Sequence, residues 1–448
     1  MNTEKKVVTR IPPSPTGYFH IGTARVALFN YLFAKQHNGT LMMRMEDTDI
    51  ARCDTKFEED ILEGLAWLGI THEKPVRQSE RTALYSEKLA SLIEQNKAYI
   101  SKELAKDDSG REVEVVRLRN TGKVITFTDE VHGEITFNTT ELGDFVIARS
   151  ISDALYHFAV VVDDADMGVT HVIRGDDHIS NTPRQILIQE ALGIERPVYA
   201  HLPLILAKDR SKLSKRKGAV SVSEYRAQGF SPEAVINYLA LLSWNPGTEK
   251  ELYTMDELVR DFSLSQVQKA GAIFDIEKLK WLNKEHRKLK PKETLTSELK
   301  AQLEGNAGIL EVLERSPKAV EDLLERFSTW AELKEAVEAG EYDFYEKRPE
   351  LTKDMLAWKK DSNPEGVKVR LAKLVELIGR VDTSTFIYES VKDAVWTYAE
   401  AEGKGGVLWP MRVALSGKER SPDPFILAEA LGKEETLRRL EEARALYI

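Results

Sequence analysis

Two stretches of this sequence hold residue types at spacings that suit phosphate chemistry. Residues 10–25 read Arg-Ile-Pro-Pro-Ser-Pro-Thr-Gly-Tyr-Phe-His-Ile-Gly-Thr-Ala-Arg. The β-branched run Val7-Val8-Thr9 predicts a strand, three prolines exclude a helix through Pro15, and from Thr23 the apolar residues Val26, Phe29 and Phe33 take helical spacing. A strand, a loop turned at Gly17 and a helix N-terminus therefore meet. Such a junction presents backbone N–H groups and the positive end of a helix dipole to whatever lies above the strand. Ser14, Thr16 and His20 can add side-chain donors. A purely structural connection, its histidine merely capping something, fits the spacing as well. The stretch carries neither the Gly-x-x-x-x-Gly-Lys-Ser/Thr phosphate loop nor the Gly-x-Gly-x-x-Gly dinucleotide fingerprint.

The second stretch, residues 208–218, reads Lys-Asp-Arg-Ser-Lys-Leu-Ser-Lys-Arg-Lys-Gly, with six basic residues in its first ten. It is read either as a solvated basic loop or as a clamp whose lysines tighten on a triphosphate in the transition state. Two lone residues complete the set. Glu46 follows the predicted strand Thr40–Met45 and is placed to meet a cation such as an α-amine, or to sit in a solvated turn. Arg174 ends the predicted strand Val169–Arg174, where a guanidinium is a bidentate receptor for a carboxylate. A structural salt bridge to Asp163 or Asp164 is its alternative.

The elements that must position these residues are predicted as follows. At 448 residues the chain exceeds one usual core and suggests about three domains. With 42% hydrophobic and 30% charged residues it reads as globular. No apolar run approaches a membrane span and no signal-peptide core follows Met1, so a cytoplasmic location is expected. One cysteine, Cys53, excludes an internal disulfide and a cysteine-based zinc cluster. A net charge of −10 means that any nucleic-acid partner must be met by local basic patches. Residues 56–69 predict an amphipathic helix closed by Gly69, Ser79 and Thr182 are expected as N-caps, and Pro183 opens a helix. Between 99 and 147 period-two alternation at 112–115, 124–127 and 134–137 predicts an antiparallel meander inserted in an α/β unit. The run Lys284, Arg287, Lys288, Lys290 and Lys292 suits a phosphate backbone or a solvated face. From 294 onward the pattern is helical, with Gly403–Gly406 its most flexible joint.

The first stretch resembles the His-x-Gly-His signature of class I aminoacyl-tRNA synthetases, in the His-x-Gly-Thr form of the glutamyl branch. Lys212-Leu213-Ser214-Lys215-Arg216 resembles the second signature, Lys-Met-Ser-Lys-Ser, in the right order and about 190 residues on. Arg77 to Arg81, Phe274 to Asn283 and Leu408 to Gly417 are also similar to bacterial-type members, so the resemblance covers nearly the whole chain. It implies an α/β Rossmann-type catalytic core with an inserted small α+β domain, followed by an all-α C-terminal anticodon-binding half. The implied boundaries are 1–98 and 148–206 for the core, 99–147 for the acceptor-end insert, 207–293 for the second-signature and stem-contact region, and 294–380 and 381–448 for two anticodon-binding domains. The implied activity is ATP-dependent attachment of L-glutamate to tRNA(Glu), possibly also tRNA(Gln), through a glutamyl-adenylate, by a monomer.

By the same resemblance, Pro13, Ser14, Thr16, Gly17, His20, Gly22, Thr23, Lys212, Ser214, Lys215 and Arg216 would bind ATP. Among these, His20, Gly22, Lys212 and Lys215 would be catalytic. Arg10, Ser14, Glu46, Tyr156 and Arg174 would hold glutamate. Mg2+ is expected on the triphosphate, and no zinc, because the cysteines many members carry after an Ala-Tyr pair are missing after Ala98-Tyr99. Two other classes stay open: a small-molecule nucleotidyltransferase on the same core, and a non-catalytic tRNA-binding relative.

Overall fold

The computed structural model describes residues 6–49, 51–104, 111–213, 221–360 and 366–447. Ser214, Lys215 and Arg216 of the second basic stretch lie outside the described residues. The chain divides into two units, Met1–His286 and Arg287–Ile448.

In the first unit Val8–Ile11 pairs in parallel with Thr40–Met45, which pairs in parallel with Val76–Arg77. On the other side of Val8 lies Thr170, whose N–H donates to the Val8 carbonyl at 2.9 Å and whose Oγ1 accepts from Val8 N–H at 2.9 Å. That contact brings in His171–Gly175, itself parallel to Val198–Leu202. Chain order thus reverses between Val8–Ile11 and His171–Gly175, and the carboxyl ends of those two strands open a crevice at the switch point. Successive residues of the buried strands enter different apolar clusters. Ile173 and Ala200 join the one built on helix Ile21–Gln36, while Val172 and Tyr199 join the one containing Leu89, Phe158 and Ile186. Alternation along a strand sends neighbours to opposite faces, so the sheet is covered on both.

The inserted strands do not form the single meander that their alternation suggested. Glu112–Leu118 pairs antiparallel with Ala98–Leu104 on one side and with Phe145–Ser150 on the other. Val124–Asp129 and Gly133–Asn138 form a separate hairpin. This hairpin adds to the edge of the parallel sheet, where Asp129 stands opposite Tyr199. The cause lies in residues 119–123: Asn120 Oδ1 accepts from Gly122 N–H, and Gly122 takes a positive φ of 63°. That turn sends the chain away from Glu112–Leu118. Alternation reports which face a residue occupies and is silent on which strand is its neighbour.

The second unit is helical from Lys292–Gln302 to Pro424–Ala445, with no strand among the described residues. One apolar cluster runs from Leu299 to Ala443, and the expected division at 380/381 falls inside it. The glycine-rich joint expected at 403–406 is one kink followed by packed helix. Gly403 turns at φ 95°, while Gly405 and Gly406 lie within Lys404–Ser416. A Cβ on Gly405 would stand 2.4 Å from the Trp358 ring, so the residue is small because an indole lies against it. Three members of the basic run are engaged within the protein. Arg287 is buried, donates to the carbonyls of Phe327 and Ser328 at 3.0 Å each, and stacks on Trp330. Lys290 pairs with Glu298 and Lys292 with Glu321.

Candidate active site

The crevice is a cavity of about 520 Å3 whose lining includes Pro13, Ser14, His20, Gly22, Thr23, Arg25, Arg174, Asp177 and Lys212. His20 is the N-cap of helix Ile21–Gln36, with extended backbone and Nδ1 accepting from Thr23 N–H at 3.3 Å. What it caps is this helix, and the cap fixes its tautomer: with Nδ1 accepting, the hydrogen sits on Nε2, 3.2 Å from Thr23 Oγ1. A phosphate oxygen can replace that hydroxyl as acceptor. Gly22 makes the arrangement possible, because a Cβ there would lie 3.1 Å from His20 Cε1 and Nδ1. The imidazole lies over the first helical turn because nothing projects from the second residue.

Lys212 and Leu213 of the second basic stretch line the same cavity. Ile205–Leu206 pairs in parallel with Ala272–Ile273, and the chain turns back so that Leu213 N–H donates to the Ile205 carbonyl at 2.9 Å. Lys212 is thereby placed at the rim, with Nζ 2.8 Å from Asp177. Farther along, Val222 N–H donates to the Phe19 carbonyl at 2.8 Å and Ser221 bridges His20. Chain segments two hundred residues apart in sequence therefore border one cavity.

Below it lies a buried charge cluster. Arg44 is fully buried and donates to Asp164 at 2.6 Å and Glu46 at 2.9 Å. Burial works against its charge, but Asp164, Glu46 and Asp163 together raise its pKa above the usual arginine value. Arg10, also buried, stands 3.4 Å from Asp164 and donates to the Ile173 carbonyl at 3.3 Å. Asp163 accepts from Arg81 Nε and Gln78 Nε2 at 2.7 Å each and from the Tyr85 hydroxyl. Burial pushes the Glu46 carboxyl up, opposed by Arg44 and Arg10.

Arg174 differs from these cations. It is 5% exposed, yet its donors go to neutral groups: Nε to His201 Nε2 at 3.1 Å, and Nη2 to Thr182 Oγ1 at 2.8 Å and to the His178 carbonyl at 3.5 Å. The salt bridge to Asp163 or Asp164 considered for it is not formed, because Arg10, Arg44 and Arg81 hold those carboxylates. Burial lowers its pKa, and Tyr156 pulls the other way. A buried cation with no carboxylate in hydrogen-bond contact, Asp164 acting on it only from farther off, is costly unless a ligand supplies one. Tyr156, at the start of helix Tyr156–Asp166, points its hydroxyl to His178 Nδ1 at 3.2 Å. Burial, with Arg174 adding, pushes His178 down to about 4.

The cavity lining thus gathers Pro13, Ser14, His20, Gly22, Thr23, Lys212 and Arg174. Arg10, Glu46 and Tyr156 are not part of that lining, nor are Thr16 and Gly17. Two expected caps are employed elsewhere. Ser79 donates both its N–H and its hydroxyl to the Asp47 carboxylate, and Arg81 precedes helix Thr82–Glu94. Thr182 lies inside helix Thr182–Leu192, whose N-cap is Asn181, and its hydroxyl receives Arg174. Sequence reasoning passed over Arg44, Arg25, Asp129 and His201. Arg44 had a signal, since it stands two residues before Glu46 and two is the strand repeat; the others had none.

Three comparisons bear on this arrangement. Residues 6–114 and 100–281 match the family model of tRNA synthetases class I (E and Q), catalytic domain, and residues 278–444 match that of an anticodon binding domain. The chain is similar to the glutamate–tRNA ligase of Carboxydothermus hydrogenoformans, 38% identical over 97% of this chain and 99% of that one. It is similar also to that of Aquifex aeolicus, 39% identical over 97% and 98%. The crystal structure of a glutamate tRNA ligase from Elizabethkingia meningosepticum in complex with its amino acid superposes with a TM-score of 0.84 at 29% identity, covering 99% of this chain and 100% of that one. With catalytic and anticodon-binding matches in the expected order and full-length relatives well above 30% identity, the chain belongs to the glutamate–tRNA ligases of the class I tRNA synthetase family.

Proposed function

We propose that this chain activates L-glutamate with ATP and transfers it to tRNA. In the first step an oxygen of the α-carboxylate attacks the α-phosphorus of ATP and pyrophosphate leaves. In the second, a hydroxyl of the terminal tRNA ribose attacks the mixed anhydride, releasing AMP and a proton. The observation that carries this reading is Arg174, a buried cation at the switch point whose partners are all neutral. It would receive the side-chain carboxylate, with Arg10, Ser14, Glu46 and Tyr156 around the rest of the amino acid. His20 Nε2–H and the N–H groups of the helix beginning at Ile21 would meet phosphate oxygens. Lys212 would exchange Asp177 for the triphosphate, and Lys215 would join it, stabilising charge that develops at the leaving pyrophosphate. Rate then comes from positioning and charge, with no covalent intermediate on the protein.

ATP and Mg2+ are what such chemistry uses. Among the described residues no group of three or more His, Cys, Asp or Glu side chains is arranged to cage a metal. Mg2+ would therefore be held by triphosphate oxygens and water. The match at 278–444 favours a tRNA substrate over a small-molecule acceptor. Among the described residues no helix is long and apolar enough to cross a membrane, and we place the enzyme in the cytoplasm, where charged tRNA is used. ATP–pyrophosphate exchange with glutamate, run with and without tRNA, tests the reading. Glutamate-dependent exchange in either condition supports it, and exchange that ignores glutamate in both overturns it.

A further inference from the structure

The inserted hairpin reaches the amino-acid site through buried hydrogen bonds. Asp129, the last residue of strand Val124–Asp129, is 2% exposed, and its Oδ2 lies 2.6 Å from His201 Nδ1. The same carboxylate accepts the backbone N–H of His201, at 3.0 Å on Oδ2, and those of Val131 and His132 at 3.0 and 2.9 Å on Oδ1. A carboxylate can only accept, so the Nδ1 facing it carries the hydrogen, and His201 Nε2 is left with a lone pair. That lone pair meets Arg174 Nε–H at 3.1 Å. His201 is fully buried, so no water stands in for either contact.

The consequence is geometric. A guanidinium offers two useful forks, Nε with Nη2 along its side and Nη1 with Nη2 at its end. Here His201 takes Nε–H and Thr182 takes Nη2, filling the side fork with neutral acceptors. The end fork, Nη1 with the second Nη2 hydrogen whose own contact is the long 3.5 Å one to the His178 carbonyl, is what remains for a ligand carboxylate. The geometry points to Asp129 and His201 as positioning residues that set the plane of Arg174 and thereby the site's preference for a charged over an amide side chain. This rests on the reading of Arg174 as the side-chain receptor.

Substitutions that alter one hydrogen test it. Asp129→Asn keeps an oxygen for the loop N–H groups but can turn an amide N–H toward His201 Nδ1. The imidazole then carries its hydrogen on Nε2, donor against donor with Arg174. Glutamate KM in tRNA-supplemented ATP–pyrophosphate exchange should rise by about 10–100-fold, the range expected when a group that orients a ligand-binding side chain is lost, while ATP KM changes less than about twofold. His201→Gln, whose amide oxygen can still accept from Arg174, should stay within about fivefold of the parent; His201→Leu should lose as much as Asp129→Asn. The ratio of glutamate to glutamine activation should fall in both damaged variants. Equal rises in glutamate and ATP KM, or indistinguishable His201→Gln and His201→Leu, would show that the pair only supports the fold and would overturn the inference. So would wild-type glutamate KM in soluble Asp129→Asn. Arg174→Ala run alongside separates the two levels. If it lowers glutamate selectivity while Asp129→Asn does not, only the positioning role fails; if it leaves selectivity intact, the receptor reading fails and this inference with it.

Discussion

Buried charge is used in opposite ways in the two units. In the second, Arg439 donates to the carbonyls of Phe344 and Leu415, at 2.8 and 2.6 Å, and to Glu435. Glu429 accepts from the Ser316 hydroxyl and from Tyr388 N–H. Each such group closes a helix end or a loop that would otherwise leave backbone polar groups without partners, and each is fully occupied by the protein. In the first unit Arg10, Arg44 and Arg81 compensate Asp163 and Asp164, whereas Arg174 and Arg25 do not follow that pattern. Arg25 donates to the Pro203 carbonyl and to Ser243, and burial holds it down at about 10 despite the pull of Asp176. Both line the cavity. A buried charge satisfied by backbone and carboxylates away from the cavity is architecture, while one satisfied by neutral groups in the cavity lining is prepared for a charged ligand.

The sharpest way to break that contrast is Arg174→Ala. We expect kcat/KM for glutamate activation to fall by about 3 kcal/mol or more, the order seen when one partner of a buried charged pair is removed, with glutamine activation falling far less. Equal losses for both amino acids in a folded protein would make Arg174 architecture too. Lys215→Ala should lower kcat by roughly 10²-fold, about 2.7 kcal/mol, with glutamate KM little changed. An unchanged kcat would remove the clamp from the mechanism. On the other side, Glu429→Ala should cost about 2 kcal/mol in chemical denaturation by stranding the Ser316 hydroxyl and Tyr388 N–H, and leave the kinetics of glutamate activation unaltered. A kinetic change without a stability change would contradict its assignment as a structural charge.

The smallest effect concerns pH. His178 is held neutral in the folded state down to about 4, whereas an unfolded histidine protonates near 6.5. Between these values unfolding takes up a proton, so stability falls as pH drops from about 6.5 toward 4. His178→Asn should flatten that part of the urea-midpoint profile, measured against the parent at each pH. A superimposable profile would show that His178 does not contribute.

What was legible in the sequence follows from the same physics. Glu46 and Arg174 could be singled out because strand ends in an open α/β sheet mark its ligand face, His20 because a strand-loop-helix junction is written in prolines, a glycine and a change of period, and Arg10 only through the family resemblance. The second unit was legible as helix but not as a site, since its polar residues serve caps and surfaces that many sequences share. Asp129 and His201 were not visible, because they are 72 residues apart and their meaning arises from a hairpin joining a sheet edge. Within the basic run at 284–292, Arg287 fits neither a phosphate backbone nor a solvated face for a related reason: composition records charge, whereas only packing decides whether Arg287 faces solvent or two carbonyls.

The contact between Val8 and Thr170 also has a temporal side. Arg10 and the Ile173 carbonyl are 163 residues apart, and Val8 and Thr170 are 162 apart. At about 5–20 residues per second during synthesis, the first strand and its apolar helix wait roughly 8–33 s before their neighbour is made. During that wait Leu28, Phe29 and Leu32, fully buried in the finished protein, have no sheet of full width to cover them. The delay makes the nascent amino-terminal segment a natural client for a chaperone. A circular permutant that begins at an exposed loop of the insert, and so places His171–Gly175 and Val8–Ile11 in a different order of emergence, should change the yield of soluble chain in cells while leaving the equilibrium fold alone.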